Sequence, residues 1–189
     1  MAPIALGIAG ICAVLVPAIG RFAPKPRLLW NASASAPIGL YRVHPGAMLR
    51  AGDLVAISPP PLLARMMVER HYLALGVPLL KHVAALPGQI VCRSGGAVTI
   101  AGRLVALARP FDSHARILPF WQGCRRIREG ELFLLNPTAD SFDSRYFGPV
   151  PAAGLIGRAT PLLTRDTPGA ALCWRAGGQS RALRSTSQP

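Results

Sequence analysis

The stretch Gln89-Ile-Val-Cys-Arg-Ser-Gly-Gly-Ala-Val-Thr-Ile-Ala-Gly-Arg-Leu-Val-Ala-Leu107 decides the fold class. Three short runs rich in Val, Ile, Leu and Thr, at 89–93, 97–100 and 103–107, are separated by Ser94-Gly-Gly96 and Ala101-Gly102. Such runs broken by small turn formers read as a meander of hairpins, because glycine supplies the positive φ that a tight turn needs. Working outward, further strand-like runs lie at 40–44, 53–58, 79–85, 131–135 and 155–160. Gly and Pro number 19 each among 189 residues, so long helices beyond the N-terminus are disfavoured. One helix is expected in the body, over 61–75, where Leu62, Leu63, Met66, Met67 and Val68 form a rough apolar face suited to packing. The expected fold class is mainly β, an antiparallel sheet domain with one N-terminal membrane helix and a short helical insertion.

The membrane helix is read from residues 2–20, which carry no charge. At 1.5 Å per residue this segment spans roughly 28 Å, about the thickness of a hydrocarbon core. A cleaved leader would carry a basic stretch before its apolar part, and none is present, so a retained anchor over 1–21 is expected. Arg21, Lys25 and Arg27 follow at once and by charge bias alone would hold the body of the chain in the cytoplasm. The net charge is +13, with 21 bases against 8 acids. The bases are scattered with few aromatics between them, so anionic lipid headgroups are the expected partner and nucleic acid is not. A tail over 175–189, rich in Ser, Arg, Gly and Gln, is expected to be disordered.

Cys12, Cys92, Cys124 and Cys173 form no close pair, which gives no support to a zinc knuckle or a redox motif, and no metal or cofactor is expected. Cys92 and Cys124 flank one insertion and allow either a disulfide, in an oxidising compartment, or two buried thiols. The four histidines (His44, His71, His82, His114) fall in no triad pattern, and neither a Gly-x-Ser-x-Gly elbow nor a Ser-x-x-Lys signature occurs. Lys81 stands in the apolar run Val77-Pro-Leu-Leu-Lys-His-Val-Ala-Ala-Leu-Pro-Gly88, with no acid within ten positions. On composition alone it reads as an edge-strand lysine snorkelling to water. The alternative is a general base, since a desolvated lysine amine can be neutral near pH 7–8 and take a proton from a serine.

Three stretches favour the second reading. Ser33-Ala-Ser35, the Lys81 run through Leu86-Pro-Gly88, and Ser141-Phe-Asp-Ser-Arg-Tyr-Phe-Gly148 resemble the ordered boxes of type I signal peptidases. Asn31-Ala-Ser-Ala-Ser-Ala-Pro-Ile-Gly-Leu-Tyr41 and Leu118-Pro-Phe-Trp-Gln-Gly-Cys124 are similar to the TraF-type conjugative-transfer peptidases, which mature pilin subunits. The likeness covers residues 29–162, within an expected catalytic domain over 27–166. It implies a signal-peptidase-like β fold, Ser35 as nucleophile, Lys81 as general base, and Ser33 with the Ser35 backbone N–H as the oxyanion hole. It further implies that Ser141 aims the lysine and that Asp143 and Arg145 form a structural ion pair nearby. Without the motif, that pair reads as a solvated turn contact worth under about 1 kcal/mol. Gly52-Asp53 is similar to another family box and reads as a turn entering a strand.

The chain departs from the family pattern at His82, where arginine is usual, at Ala85 in place of glycine, and at Gln89 in place of aspartate. Asn31-Ala-Ser33 also matches a glycosylation sequon, which a bacterial setting makes accidental. The function implied is a serine endopeptidase of the bacterial inner membrane, single-pass, facing the periplasm against the charge bias. Its substrate would be an exported precursor polypeptide, foremost a pilin in conjugative transfer. The alternative is an inactive tethered β domain that binds partners in a secretion or transfer apparatus.

Overall fold

In the computed structural model, which describes residues 27–175, most of the strands are short apolar runs that bury at least one face. The strands are β1 (Leu28–Asn31), β2 (Ile38–His44), β3 (Leu54–Ile57), β4 (Leu79–Ala85), β5 (Ile90–Ser94), β6 (Ala97–Ile100), β7 (Arg103–Leu107), β8 (Gly123–Arg126), β9 (Glu131–Leu135), β10 (Val150–Pro151), β11 (Leu155–Arg165) and β12 (Cys173–Trp174). Helices α1 (Pro61–Glu69) and α2 (Ser144–Phe147) and a 3-10 turn (Ala152–Gly154) complete the described elements. The fold is mainly β and antiparallel. Among these residues no helix is long and apolar enough to cross a membrane. The anchor expected over 1–21 and the tail beyond Arg175 lie outside the described residues. Arg175 itself is held, its Nε on Thr164 Oγ1 and its Nη2 on Asp166.

The strands form two sheets. One runs β1-β2-β11-β3-β4-β9-β10, with β12 added beside β11, and the other runs β7-β6-β5-β8. A cluster of Ala85, Val91, Val98, Ile100, Ile127, Phe133 and Leu135 joins them. Two further clusters cover the faces of the larger sheet, one around Val55, Ile57, Met67 and Val83, the other around Tyr41, Val43 and Leu80. The hairpin meander over 89–107 is present as β5-β6-β7. Cys92 and Cys124 face each other across β5 and β8 and are joined as a disulfide.

Differences from the sequence reading have local causes. Helix α1 begins with Pro61 in its first turn and stops at Glu69, not 75, because His71 turns to a positive φ of 57°. Only Met67 of its apolar face is buried, while Leu62 is exposed. Strand β11 continues past Thr160 because a bulge between Pro161 and Leu163 absorbs the missing proline donor. Strand β4 lies between β3 and β9, so Lys81 is on no edge. Gly39 takes φ 145°, and a Cβ there would lie 2.1 Å from the Leu163 carbonyl oxygen. Only glycine lets β11 pass this close behind the segment that carries Ser35.

Candidate active site

Three segments converge at one end of a cleft of about 790 Å³. The first is the connection from β1 to β2, residues 32–37. Asn31, the last residue of β1, turns its side chain into this connection. Its Nδ2 donates to the carbonyls of Ser33, Ala36 and Pro37 at 2.9, 3.1 and 3.0 Å, and its Oδ1 accepts from the Ser33 N–H at 3.1 Å. The buried Tyr41 hydroxyl donates to the same Pro37 carbonyl at 2.6 Å. Burial raises the phenol well above its ordinary value, so it is a hydrogen donor at any working pH. Asn31 is therefore enclosed and fully used, and the sequon at this position is structural and sterically closed to a glycan.

The second segment is β4. Lys81 is 4% exposed, opposite Val55 on β3. Its Nζ donates to Ser141 Oγ at 2.7 Å and lies 3.5 Å from Ser35 Oγ. Burial pushes the ammonium down from 10.5 to about 8, while the Asp143 carboxylate pulls it back up and the Arg145 guanidinium pushes it further down. The sequence places no acid near Lys81, but the fold brings Asp143 to it from 62 positions away.

The third segment runs from β9 through Ser141 into α2. Asp143 caps α2, accepting from the Arg145 N–H, and its carboxylate holds the Arg145 Nε at 2.8 Å and Nη2 at 2.9 Å. The pair is buried, at 0% and 3% exposure, so the solvated-turn reading is replaced by an enclosed ion pair. Arg145 Nη2 also donates to the Asn136 carbonyl at 2.6 Å, and the Asn136 N–H donates to Asp143 Oδ2.

Four residues that sequence reasoning did not assign complete this scaffold. Asn136 bonds Leu80 O through Nδ2 and meets the His82 N–H and Nδ1 through Oδ1, thereby gripping both neighbours of Lys81. His82, in the position where the family carries arginine, is held below its ordinary value by burial. Arg93 Nη1 donates to Arg145 O at 2.6 Å, and Trp121 Nε1 donates to Ser144 O at 3.1 Å. Asn31 is the fourth. The Leu86-Pro-Gly88 turn is closed by Gln89, whose Oε1 accepts the Leu86 N–H at 2.8 Å.

Away from the serines and the lysine, the cleft is lined by Met67, Tyr72, Asp112, Leu118, Phe142 and Tyr146. Tyr72 ties one wall to the other by donating to Asp112, which also pairs with Arg116 at 2.7 Å. The ring of Phe142 packs against Tyr72 at 4.9 Å, fixing the residue after Ser141.

The cleft thus holds a buried lysine beside two serines on an antiparallel β scaffold. Comparison with known proteins places the chain accordingly: it belongs to the signal peptidase, peptidase S26 family, which it matches over residues 3–163. It is 39% identical over 153 residues to the conjugal transfer protein TraF of Agrobacterium fabrum, covering 72% of this chain and 82% of that one. A plasmid transfer protein TraF of Escherichia coli is 31% identical over 168 residues, covering 83% of this chain and 92% of the other. Among solved structures, a signal peptidase I from Enterococcus faecalis aligns with 59% of this chain and 97% of its own, at 21% identity and a TM-score of 0.36.

Proposed function

We propose that this protein is a membrane-anchored serine endopeptidase with a Ser35/Lys81 dyad, which matures exported precursor polypeptides, foremost a pilin in conjugative transfer. The observation that carries this is the buried Lys81 amine, hydrogen-bonded to Ser141 and within reach of Ser35 Oγ. A lone ammonium in an apolar site is costly unless its neutral form has a use.

The neutral Lys81 amine takes the Ser35 proton as Ser35 Oγ bonds to the scissile carbonyl carbon. The Ser33 hydroxyl and the Ser35 backbone N–H stabilise the oxyanion. Collapse breaks the C–N bond, and the Lys81 ammonium returns its proton to the departing amine. The acyl-enzyme is then resolved by water or by an amine of the substrate's own chain. Ser141 keeps the lysine aimed, while Asp143 and Arg145 hold the Ser141 loop. The family implies small side chains at the first and third positions before the cut. Full-length protein in detergent is expected to shorten a pilin precursor and to be labelled by a serine-directed acylating probe. Ser35→Ala removes both effects. Unchanged cleavage by that variant defeats the assignment. The product mass distinguishes hydrolysis from ring closure, which removes one further water.

A lipid surface is the proposed setting, facing the periplasm, and the disulfide supports an oxidising compartment. Cross-strand register sets Trp30, Leu40, Leu163 and Trp174 in one row across β1, β2, β11 and β12, with exposed Arg42 on the same face. Tryptophans rimming an apolar row beside arginine suit the interface of an anionic bilayer. In proteoliposomes, brominated phosphatidylglycerol is expected to quench tryptophan emission, and Trp30→Phe/Trp174→Phe to abolish the quenching. Quenching that persists in the double variant, through Trp121 alone, counts against this face.

A further inference from the structure

The proposed mechanism uses Ser33, Ser35, Lys81 and Ser141, yet the side chain that touches most of the nucleophile segment is Asn31. Its amide orientation is forced. Nδ2 faces the carbonyls of Ser33, Ala36 and Pro37, which only accept, so the amide cannot be turned end for end. Oδ1 must then face Ser33, and it accepts from both the backbone N–H and the hydroxyl, each at 3.1 Å.

The direction of the neighbouring hydrogen bonds follows. Ser33 Oγ and Ser35 Oγ are 3.2 Å apart. Because the Ser33 proton goes to an acceptor-only oxygen, the proton between the two hydroxyls belongs to Ser35. Ser35 Oγ in turn accepts from the Lys81 ammonium. In the resting state the chain runs from Lys81 to Ser35 to Ser33 to Asn31, with every proton pointing away from the base.

We propose that Asn31 is a positioning residue for acyl transfer. It fixes the backbone of residues 33–37 and holds the Ser33 hydroxyl in one rotamer, from which a turn about the Cβ–Oγ bond presents its proton to the oxyanion. The inference rests on the Ser35/Lys81 reading. When Lys81 loses its extra proton, the Ser35 hydroxyl turns toward the freed lone pair, and the Ser33 proton leaves Asn31 Oδ1 for the oxyanion as that hydroxyl turns about its Cβ–Oγ bond. No backbone has to move, which is the condition under which an oxyanion donor is most effective. Tyr41, sharing the Pro37 carbonyl with Asn31, braces the same segment.

The test uses full-length protein in detergent with a pilin precursor. Asn31→Ala is expected to lower kcat about 100-fold with KM little changed, since a misplaced hydroxyl and nucleophile cost that much. Asn31→Asp keeps the acceptor for Ser33 but sets a carboxylate against three carbonyls and close to the dyad. Its kcat falls, and activity begins at higher pH, because the added charge favours the protonated lysine. In a Ser33→Ala background, Asn31→Ala costs less than it does in wild type, because the share of its effect that runs through the Ser33 hydroxyl is already lost. Wild-type kcat and pH onset in both Asn31 variants overturn the inference, as do equal losses with and without Ser33. If Asn31→Ala gives no cooperative melt, the isosteric Asn31→Asp decides through its pH onset. Cleavage that does not depend on Ser35 is a different result, which removes the peptidase reading and this inference with it.

Discussion

Lys81→Met is expected to stop precursor processing, by at least about 1,000-fold in kcat/KM, while leaving a folded and more stable protein. The rate loss follows from removing the amine that, among the described residues, is within reach of Ser35 Oγ, and the gain in stability follows from the same burial. With the ammonium moved from 10.5 to about 8, keeping it charged inside the fold at pH 7 costs about 3 kcal/mol. Methionine removes that cost and loses the Ser141 contact, worth about 1 kcal/mol, for a net gain of about 2 kcal/mol. The pH dependence has a definite sign. The folded value lies below the unfolded one, so the unfolded chain holds more protons between about pH 8 and 10.5, and wild-type stability gains from this group as pH rises through that window. Lys81→Met lacks this gain. In wild type, kcat/KM should rise with pH to a plateau above about 8. Thermal melts and pH–rate profiles of the two proteins check both statements. A variant that is less stable at pH 7, or a rate flat from pH 6 to 9, contradicts a buried neutral base.

The second large effect is expected at the Asp143–Arg145 pair. Breaking an enclosed pair by removing one partner leaves a buried charge without its counterion, which costs about 3–5 kcal/mol. Arg145→Met should therefore lower the melting temperature sharply. The guanidinium also serves the Asn136 carbonyl, so its loss opens a second unmet acceptor. The two partners act on Lys81 in opposite senses. Removing the Arg145 charge raises the lysine and moves the onset of activity to higher pH, whereas Asp143→Asn lowers it and moves the onset down. Denaturant melts and pH–rate profiles of the two variants check this. A loss of stability under 1 kcal/mol, or shifts in the same direction, would show that the pair is solvated in solution.

Much of this was legible in the sequence because its signals are local. The meander at 89–107 alternates on its own, β9 is apolar after Glu131, and β4 is apolar but for Lys81 and His82. Ser33, Ser35, Lys81 and Ser141 carry motif spacing, and the structure brings their side chains together. What escaped depends on distant partners. Strand β8, Gly-Cys-Arg-Arg, has no apolar period and exists because β5 and a disulfide hold it. The reach of β11 beyond Pro161 depends on a bulge that proline ordinarily argues against. Asn31, Arg93 and Asn136 are polar residues whose roles lie in the carbonyls they satisfy, and nothing adjacent in sequence announces those carbonyls. Arg145 is likewise tied to the second sheet, through the Leu107 carbonyl and Arg93, both distant in sequence.

The backbone carbonyls of residues 136, 144 and 145 are engaged by Arg145, Trp121 and Arg93, two of which come from or border the smaller sheet. That sheet is thus a foundation for the lysine's aim, and the disulfide rivets its outer strand. At the rim, Arg109 shares this duty, with its N–H on the Tyr146 hydroxyl and its guanidinium on Asp140, whereas Phe111 and Ser113 line the cleft without bonding these three carbonyls. Natural drift or directed evolution can retune which polypeptide is accepted at the rim, so long as the masonry beneath is left alone.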